Sequence, residues 1–393
     1  MAVQQKRVFF DPTDDRRFPH LPARPTDEEI RLYLNSDRDN PLSKIVYGSA
    51  NEGNMRTLRR LAFKAFTDPG RSCRGLNFAM YAGPGQGKTY IAKQWAKAIG
   101  LPTLLVQSDA LESTWMLFDL LTGTFNKYGT PLVPQSNPCH FILPPCLVIF
   151  DEAHAIPAEL RTGGLLSAME ANDGWLRTKP PGKNKKLYTV DCAQVCWIAM
   201  STDPGLIYKQ SSAFYERFRT HIEWAAAQPD QILNIVKLDS QRKFDEGMVD
   251  AVLPDEACQI VSSFETVPRR AIAFADQMQI EQRMASSNWK EAAQTVAEDI
   301  GIDRFGMPVK IVEILTALAR RPMSDKHILN VAKCRREQFD SQYAPVLLAD
   351  IANRGPLAMP TGKGWAITNA GCHELTKREI QHEGESVLAE RYL

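Results

Sequence analysis

The sequence runs to 393 residues, long enough for two or three domains. Its 47 Lys and Arg almost cancel 46 Asp and Glu, so contact with nucleic acid must come from local basic patches. The opening Met1 to Lys6 lacks an apolar signal region and no apolar run reaches spanning length, so a soluble cytoplasmic protein without membrane contact is expected.

Residues 1–42 are rich in Pro, Arg and Asp, with helical periodicity only from Asp27 to Leu34. They predict an N-terminal arm, partly disordered, with one short helix. From Ser43 the pattern changes. Val46 and Tyr47 precede a helix through Met55, Leu58, Leu61, Ala62 and Phe66, and offer apolar surface for an adenine.

A short apolar run, Phe78 to Tyr81, predicts a buried strand, followed by Ala82-Gly83-Pro84-Gly85-Gln86-Gly87-Lys88-Thr89-Tyr90. The helix after it carries Ile91, Ala92, Trp95, Ala96 and Ile99 at helical spacing, and Gly100 stops it. Strand, glycine-rich turn and helix in that order make a phosphate cradle, with backbone N–H groups and the helix N-terminus aimed at the anion. Gly83 to Tyr90 are therefore the candidate ATP-binding residues, with Lys88 on the β/γ-phosphates and the Thr89 hydroxyl on Mg²⁺. Ala82 stands where this pattern usually opens with glycine.

Thr103 to Gln107 reads as a second strand, 111–128 as a helix, and the proline-rich 129–145 as an irregular insertion. Cys146 to Phe150 is a continuous apolar run, as expected of a parallel strand buried on both faces. It ends in Asp151 and Glu152, where open α/β sheets carry their chemistry. Asp151 is the second Mg²⁺ candidate, and Glu152 would polarise the attacking water.

A helix is expected over 158–172, then a hairpin over 175–190. Its tip is basic, with Lys183, Lys185 and Lys186 as candidate nucleic-acid or partner contacts. Val195 to Met200 predicts the next buried strand, followed by Thr202 as a polar group beside the attacking water. A helix closing at Arg217 and a strand from His221 to Trp224 complete a five-stranded α/β core. The eight cysteines form no C-x-x-C pair, and buried reduced thiols are expected.

Residues 229–302 read as entirely helical, with Pro268 and Arg269 opening one helix. The last stretch gives helices over 309–319, after Ser324 and over 335–353, then a hairpin from Pro356 to Thr368. That is a winged-helix plan, in which Arg354 and Lys363 become candidate phosphate contacts.

Taken together, these motifs resemble the AAA+ ATPases, and within them the RuvB-type Holliday-junction branch-migration motors. Gly83 to Thr89 looks like the Walker A motif and Asp151-Glu152-Ala153-His154 like Walker B. Thr202 falls at the sensor-1 position, Arg217 at the arginine finger and Arg269 at sensor 2. The resemblance implies an α/β AAA+ core with a five-stranded parallel sheet over 43–227, an all-α lid over 228–302 and a C-terminal winged helix over 303–393. It also implies a homo-oligomer, a hexameric ring or spiral, with ATP and Mg²⁺ between neighbours and Arg217 acting on the next subunit's nucleotide. DNA, duplex or branched, is the expected substrate, with a RuvA-like protein as a possible partner. The alternative is an AAA+ helicase loader or remodeler that docks proteins through the winged helix.

Overall fold

The computed structural model describes residues 26–393 except 38–39, 68–74, 127–138, 171–173, 183–185, 203, 302, 304–306, 349–354, 363 and 377–393. Two compact units emerge: Met1–Ile235 together with Val267–Arg269, and Val236–Thr266 together with Arg270–Leu393.

The first unit is built on five parallel strands. They are β1 (Phe78–Tyr81), β2 (Thr103–Gln107), β4 (Cys146–Asp151), β7 (Val195–Ser201) and β8 (Thr220–Glu223). Their order across the sheet is β2-β4-β7-β1-β8. β4, β7 and β1 are inner strands, and their continuous apolar runs bury side chains on both faces. On one face lie Phe78, Met80, Leu147, Ile149, Cys196, Ile198 and Met200. The opposite face takes Ala79, Tyr81, Cys146, Val148, Phe150, Trp197 and Ala199. Each large aliphatic or aromatic side chain buried this way contributes roughly 1.5–3 kcal/mol. On the first face Phe78 meets Trp95 edge-on at 5.1 Å, and the Trp95 indole donates to the carbonyl of Leu58 at 2.9 Å. That indole ties the helix Lys88–Ile99, which follows the glycine-rich loop, to the helix Glu52–Thr67.

The short helix expected in the arm, 1–42, is Asp27–Asn35, opened by a capping box between Thr26 and Glu29. Its Ile30, Tyr33 and Leu34 are buried in the first core, and the Tyr33 hydroxyl donates to the carbonyl of Ala98. Residues 1–25 lie outside the described residues. The insertion, 129–145, ends in a strand, β3 (His140–Ile142). β3 runs parallel to β6 (Tyr188–Asp191), which pairs antiparallel with β5 (Trp175–Thr178). The hairpin is thus a three-stranded sheet, held on the core by Trp115, Phe118, Phe141 and Tyr188. Three residues are too short for periodicity to signal β3.

The helix expected over 158–172 is π-helical at Leu160–Leu165 and ends at Ala168. Two adjacent glycines weaken the α-helical preference there. Gly164 also has no room for a side chain, since a Cβ would meet Thr114 Cγ2 at 2.8 Å.

The second unit contains the helices Asp255–Phe264, Trp289–Asp299, Val309–Arg320 and Asp325–Ala332. The helix Pro229–Asp245 opens just after the expected start of the lid at 228, and the division between the two units falls within it, at 235/236. Ser324 stands before Asp325–Ala332, but its hydroxyl pairs with His327 Nδ1 at 2.8 Å instead of a backbone N–H. The third helix is described over 336–348 and contains a π turn, Phe339–Tyr343. Then β9 (Ala358–Thr361) and β10 (Gly364–Ile367) pair antiparallel, and Met323 bridges to Trp365 as a third short strand. The helices and the hairpin stand in the expected order along the chain, and a further helix, Asn369–Thr376, follows them. Among the described residues no helix is long and apolar enough to cross a membrane.

Candidate active site

The parallel sheet ends in a row of polar groups. Tyr81 lies in register with Ser201 and Glu223, while Gln107 lies in register with Asp151. The loop after β1 therefore opens beside the acidic end of β4, as the chemistry requires.

Within the loop, Gly85 and Gly87 have φ of +75° and +85°, a left-handed conformation that side-chain-bearing residues rarely adopt. Gly85 is also tight, since a Cβ there would come within 2.7 Å of Val267 Cγ1. The Arg269 N–H donates to the Gly85 carbonyl at 3.4 Å, so Arg269 is brought to the loop. The Gln86 side-chain carbonyl accepts from the Ala227 N–H at 3.1 Å, anchoring the loop's far side.

Lys88 is nearly buried and donates to the carbonyl of Ala82 at 2.9 Å and, at 3.5 Å, to that of Gly83. Burial lowers its pKa; the Glu152 and Asp151 carboxylates oppose this, and the Arg269 guanidinium adds to it. An anion in the loop would relieve that penalty. The glycine cradle and a cation with no carboxylate in hydrogen-bond range among the described residues both fit a phosphate group; Glu152 Oε1 is 3.9 Å from Lys88 Nζ.

The Thr89 hydroxyl lies 3.5 Å from Asp151 Oδ2. An all-oxygen pair of this kind suits Mg²⁺, which takes one or two carboxylates together with substrate phosphates.

Glu152 has φ +50°, left-handed for a non-glycine residue. Such a backbone costs about 1–3 kcal/mol and persists only where the surroundings impose it. Its Oε2 lies 3.4 Å from His154 Nδ1, which also meets the Ser201 hydroxyl at 3.0 Å. His154 thus joins the acidic turn to β7. Thr202 follows Ser201 in a bend at the same sheet end.

Other candidates lie farther out. Tyr90 is half-exposed and its hydroxyl donates to the Lys44 carbonyl at 3.2 Å. Val46 and Tyr47 are half-buried, Tyr47 against the first core. Arg217 caps the helix Ser212–Glu216 and forms an ion pair with Glu170 of the same chain. Lys186 is exposed next to the hairpin tip, whereas Lys183, Lys185, Arg354 and Lys363 lie outside the described residues.

Three contributors escaped sequence reasoning. His154 had a signal, as the fourth residue of Asp-Glu-Ala-His, but not its contact with Ser201. Glu170 had none. His221 stacks on Tyr215 at 4.1 Å and accepts or donates a hydrogen bond with the Tyr81 hydroxyl at 3.1 Å. It links the strand before the loop to the segment bearing Arg217.

Residues 78–225 match the family described as "ATPase family associated with various cellular activities (AAA)". The matched segment runs from β1 to the residue after Trp224 and so contains the loop, Asp151, Glu152, Thr202 and Arg217. Beyond it, the fold is similar to that of the Thermotoga maritima RuvB Holliday junction branch migration motor, with a TM-score of 0.59 at 18% identity. That likeness covers 88% of this chain and 98% of the other. A point mutant of the same Thermotoga maritima RuvB matches with a TM-score of 0.59 at 16% identity, over 86% of this chain and 98% of the other. At such identity the likeness is one of fold. No curated protein sequence matches the chain.

Proposed function

We propose that the protein is an ATP-hydrolysing DNA motor of RuvB type, translocating duplex or junction DNA in recombination, repair or replication. The observation that carries the ATPase part is the convergence of Lys88, Thr89, Asp151 and Glu152 at one end of the sheet. Lys88 and the loop amides would hold the β- and γ-phosphates, with Val46 and Tyr47 against the base and Tyr90 supporting the loop's first helical turn. Thr89 and Asp151 would hold Mg²⁺, which offsets phosphate charge. Glu152 accepts a proton from water as its oxygen forms a bond to the γ-phosphorus; the bond to the bridging oxygen breaks and ADP leaves with that electron pair. Thr202 orients the water, and Arg269 neutralises charge on the same nucleotide.

Arg217 would act on the nucleotide of the next copy in a ring or spiral. Such arginines contribute ~10³–10⁵ in rate in other NTPases. DNA contact is assigned to Lys183, Lys185 and Lys186 in the hairpin and to Arg354 and Lys363 in the terminal domain, with a RuvA-like protein as a further partner. The buried cysteines Cys139, Cys146, Cys192, Cys196 and Cys258 stand as thiols, which suits the reducing cytoplasm.

A second reading, an AAA+ loader or remodeler, draws support from apolar side chains left exposed in the second unit. Met248, Ile280 and Met284 are 69%, 58% and 77% exposed, and such side chains suit a protein client.

The test is the ATPase rate against protein concentration, with and without duplex and four-way junction DNA, beside Glu152→Gln. A rate per subunit that climbs with concentration and with DNA, and vanishes in the variant, supports the motor. A rate indifferent to every DNA tested favours the loader or remodeler.

A further inference from the structure

The pairing of Arg217 with Glu170 carries an inference that rests on the function proposed above. Glu170 is held by the chain that leaves the acidic end of β4, just after the π-helical segment and the turn Leu166–Ala168. Arg217 is fixed from the other side: Phe214 and Phe218 are buried, and Tyr215 stacks on His221. Two segments 47 residues apart therefore meet through one carboxylate and one guanidinium, Glu170 Oε1 with Arg217 Nη2.

The strength of this pair decides what it can do. Its side chains are 33% and 50% exposed, and exposed pairs shift an equilibrium by roughly fivefold at most. That is too weak to withhold an arginine from a polyphosphate, so the pair is no lock. It is strong enough to bias the rotamers of a long side chain before a second acceptor arrives. A guanidinium has five N–H donors, and engaging Nη2 leaves others for a phosphate oxygen.

We propose that Glu170 is a positioning residue that orients Arg217 toward the nucleotide held by a neighbouring copy of this chain. Its carboxylate touches no reacting atom and acts only through the guanidinium. The turn that leaves one subunit's own acidic strand thereby sets the group that the subunit lends to the next.

The test uses the full chain at protein concentrations where the rate per subunit has reached its plateau. kcat and KM for ATP are measured for the wild type, Glu170→Gln, Arg217→Ala and the double variant, with sedimentation to follow assembly. Glu170→Gln is expected to lower kcat about threefold to fivefold at unchanged KM and unchanged assembly. It is expected to cause no further loss when added to Arg217→Ala. An unchanged or raised kcat overturns the proposal, and so does an added loss in the Arg217→Ala background. If Glu170→Gln impairs folding, Glu170→Asp replaces it, keeping the charge; full loss of the effect's dependence on Arg217 there overturns the idea equally. If Arg217→Ala alone leaves a concentration-dependent rate intact, the neighbour-acting role of Arg217 fails first, a result distinct from a silent Glu170.

Discussion

The Lys88 ammonium donates a 2.9 Å hydrogen bond to the carbonyl of Ala82, the one position where the loop departs from the glycine its pattern leads one to expect. The departure is harmless for a backbone reason. Ala82 is not among the residues with positive φ, whereas Gly85 and Gly87 are. Glycine is demanded where the chain turns left-handed, and Ala82 needs only its carbonyl.

Lys88 is a buried cation whose ammonium is held below its ordinary pKa chiefly by desolvation. Lys88→Met removes that penalty and keeps the stem. The variant is expected to lose the rise in melting temperature that ATP gives the wild type. Its nucleotide-free melting temperature should stay level or rise by about 2–4 °C, the equivalent of about 1 kcal/mol. Thermal melts with and without ATP and Mg²⁺ check both halves; a nucleotide-dependent shift retained in Lys88→Met contradicts the assigned role.

Gly85→Ala places a Cβ on a backbone with φ +75° and within 2.7 Å of Val267 Cγ1. Strain of about 1–3 kcal/mol follows from the backbone alone. ATP affinity should fall roughly tenfold or more by titration. Alanine at Gly83, where φ is not positive and the nearest atom to a Cβ is Gln86 Cγ at 3.6 Å, should be milder.

His221 has its pKa lowered from 6.5, mainly by burial, with the Phe218 backbone and Glu223 opposing. The folded protein thus binds its proton less readily than the unfolded chain. Stability from this group is present above the ordinary histidine range and is lost as pH falls through 6.5 toward the folded pKa. His221→Asn should flatten the fall in melting temperature between about pH 7 and about pH 5. An unchanged slope assigns the acid sensitivity elsewhere.

Glu265 is 2% exposed and faces Arg270 Nε at 3.0 Å. Desolvation raises its pKa despite that partner. A carboxyl raised in the fold is penalised once ionised, so the penalty is absent below 4.5 and complete above the folded pKa. Glu265→Gln should therefore gain on the wild type in denaturant melts as pH rises from about 4 to about 8. A relative loss over that range shows instead that the Arg270 pair outweighs desolvation.

Much of this molecule can be read from its residues in order. The runs Phe78–Tyr81, Cys146–Phe150 and Val195–Met200, short, apolar and closed by polar or glycine-rich segments, read as strands buried on both faces. Lys88 and Thr89 follow one such strand and Asp151 and Glu152 end another, so the site is legible because its parts are attached to strand ends. What order along the chain leaves open is which strands are neighbours. Hydrogen bonding placed β7 between β4 and β1, and so put Ser201 against His154, whose Nδ1 also lies 3.4 Å from Glu152 Oε2. The Glu170–Arg217 pair, the seating of Val267 on Gly85 and the pairing of His140–Ile142 with Tyr188–Asp191 likewise join distant segments. Local propensity acts over a few residues, and these contacts are settled by packing between elements that carry no mark of one another in sequence.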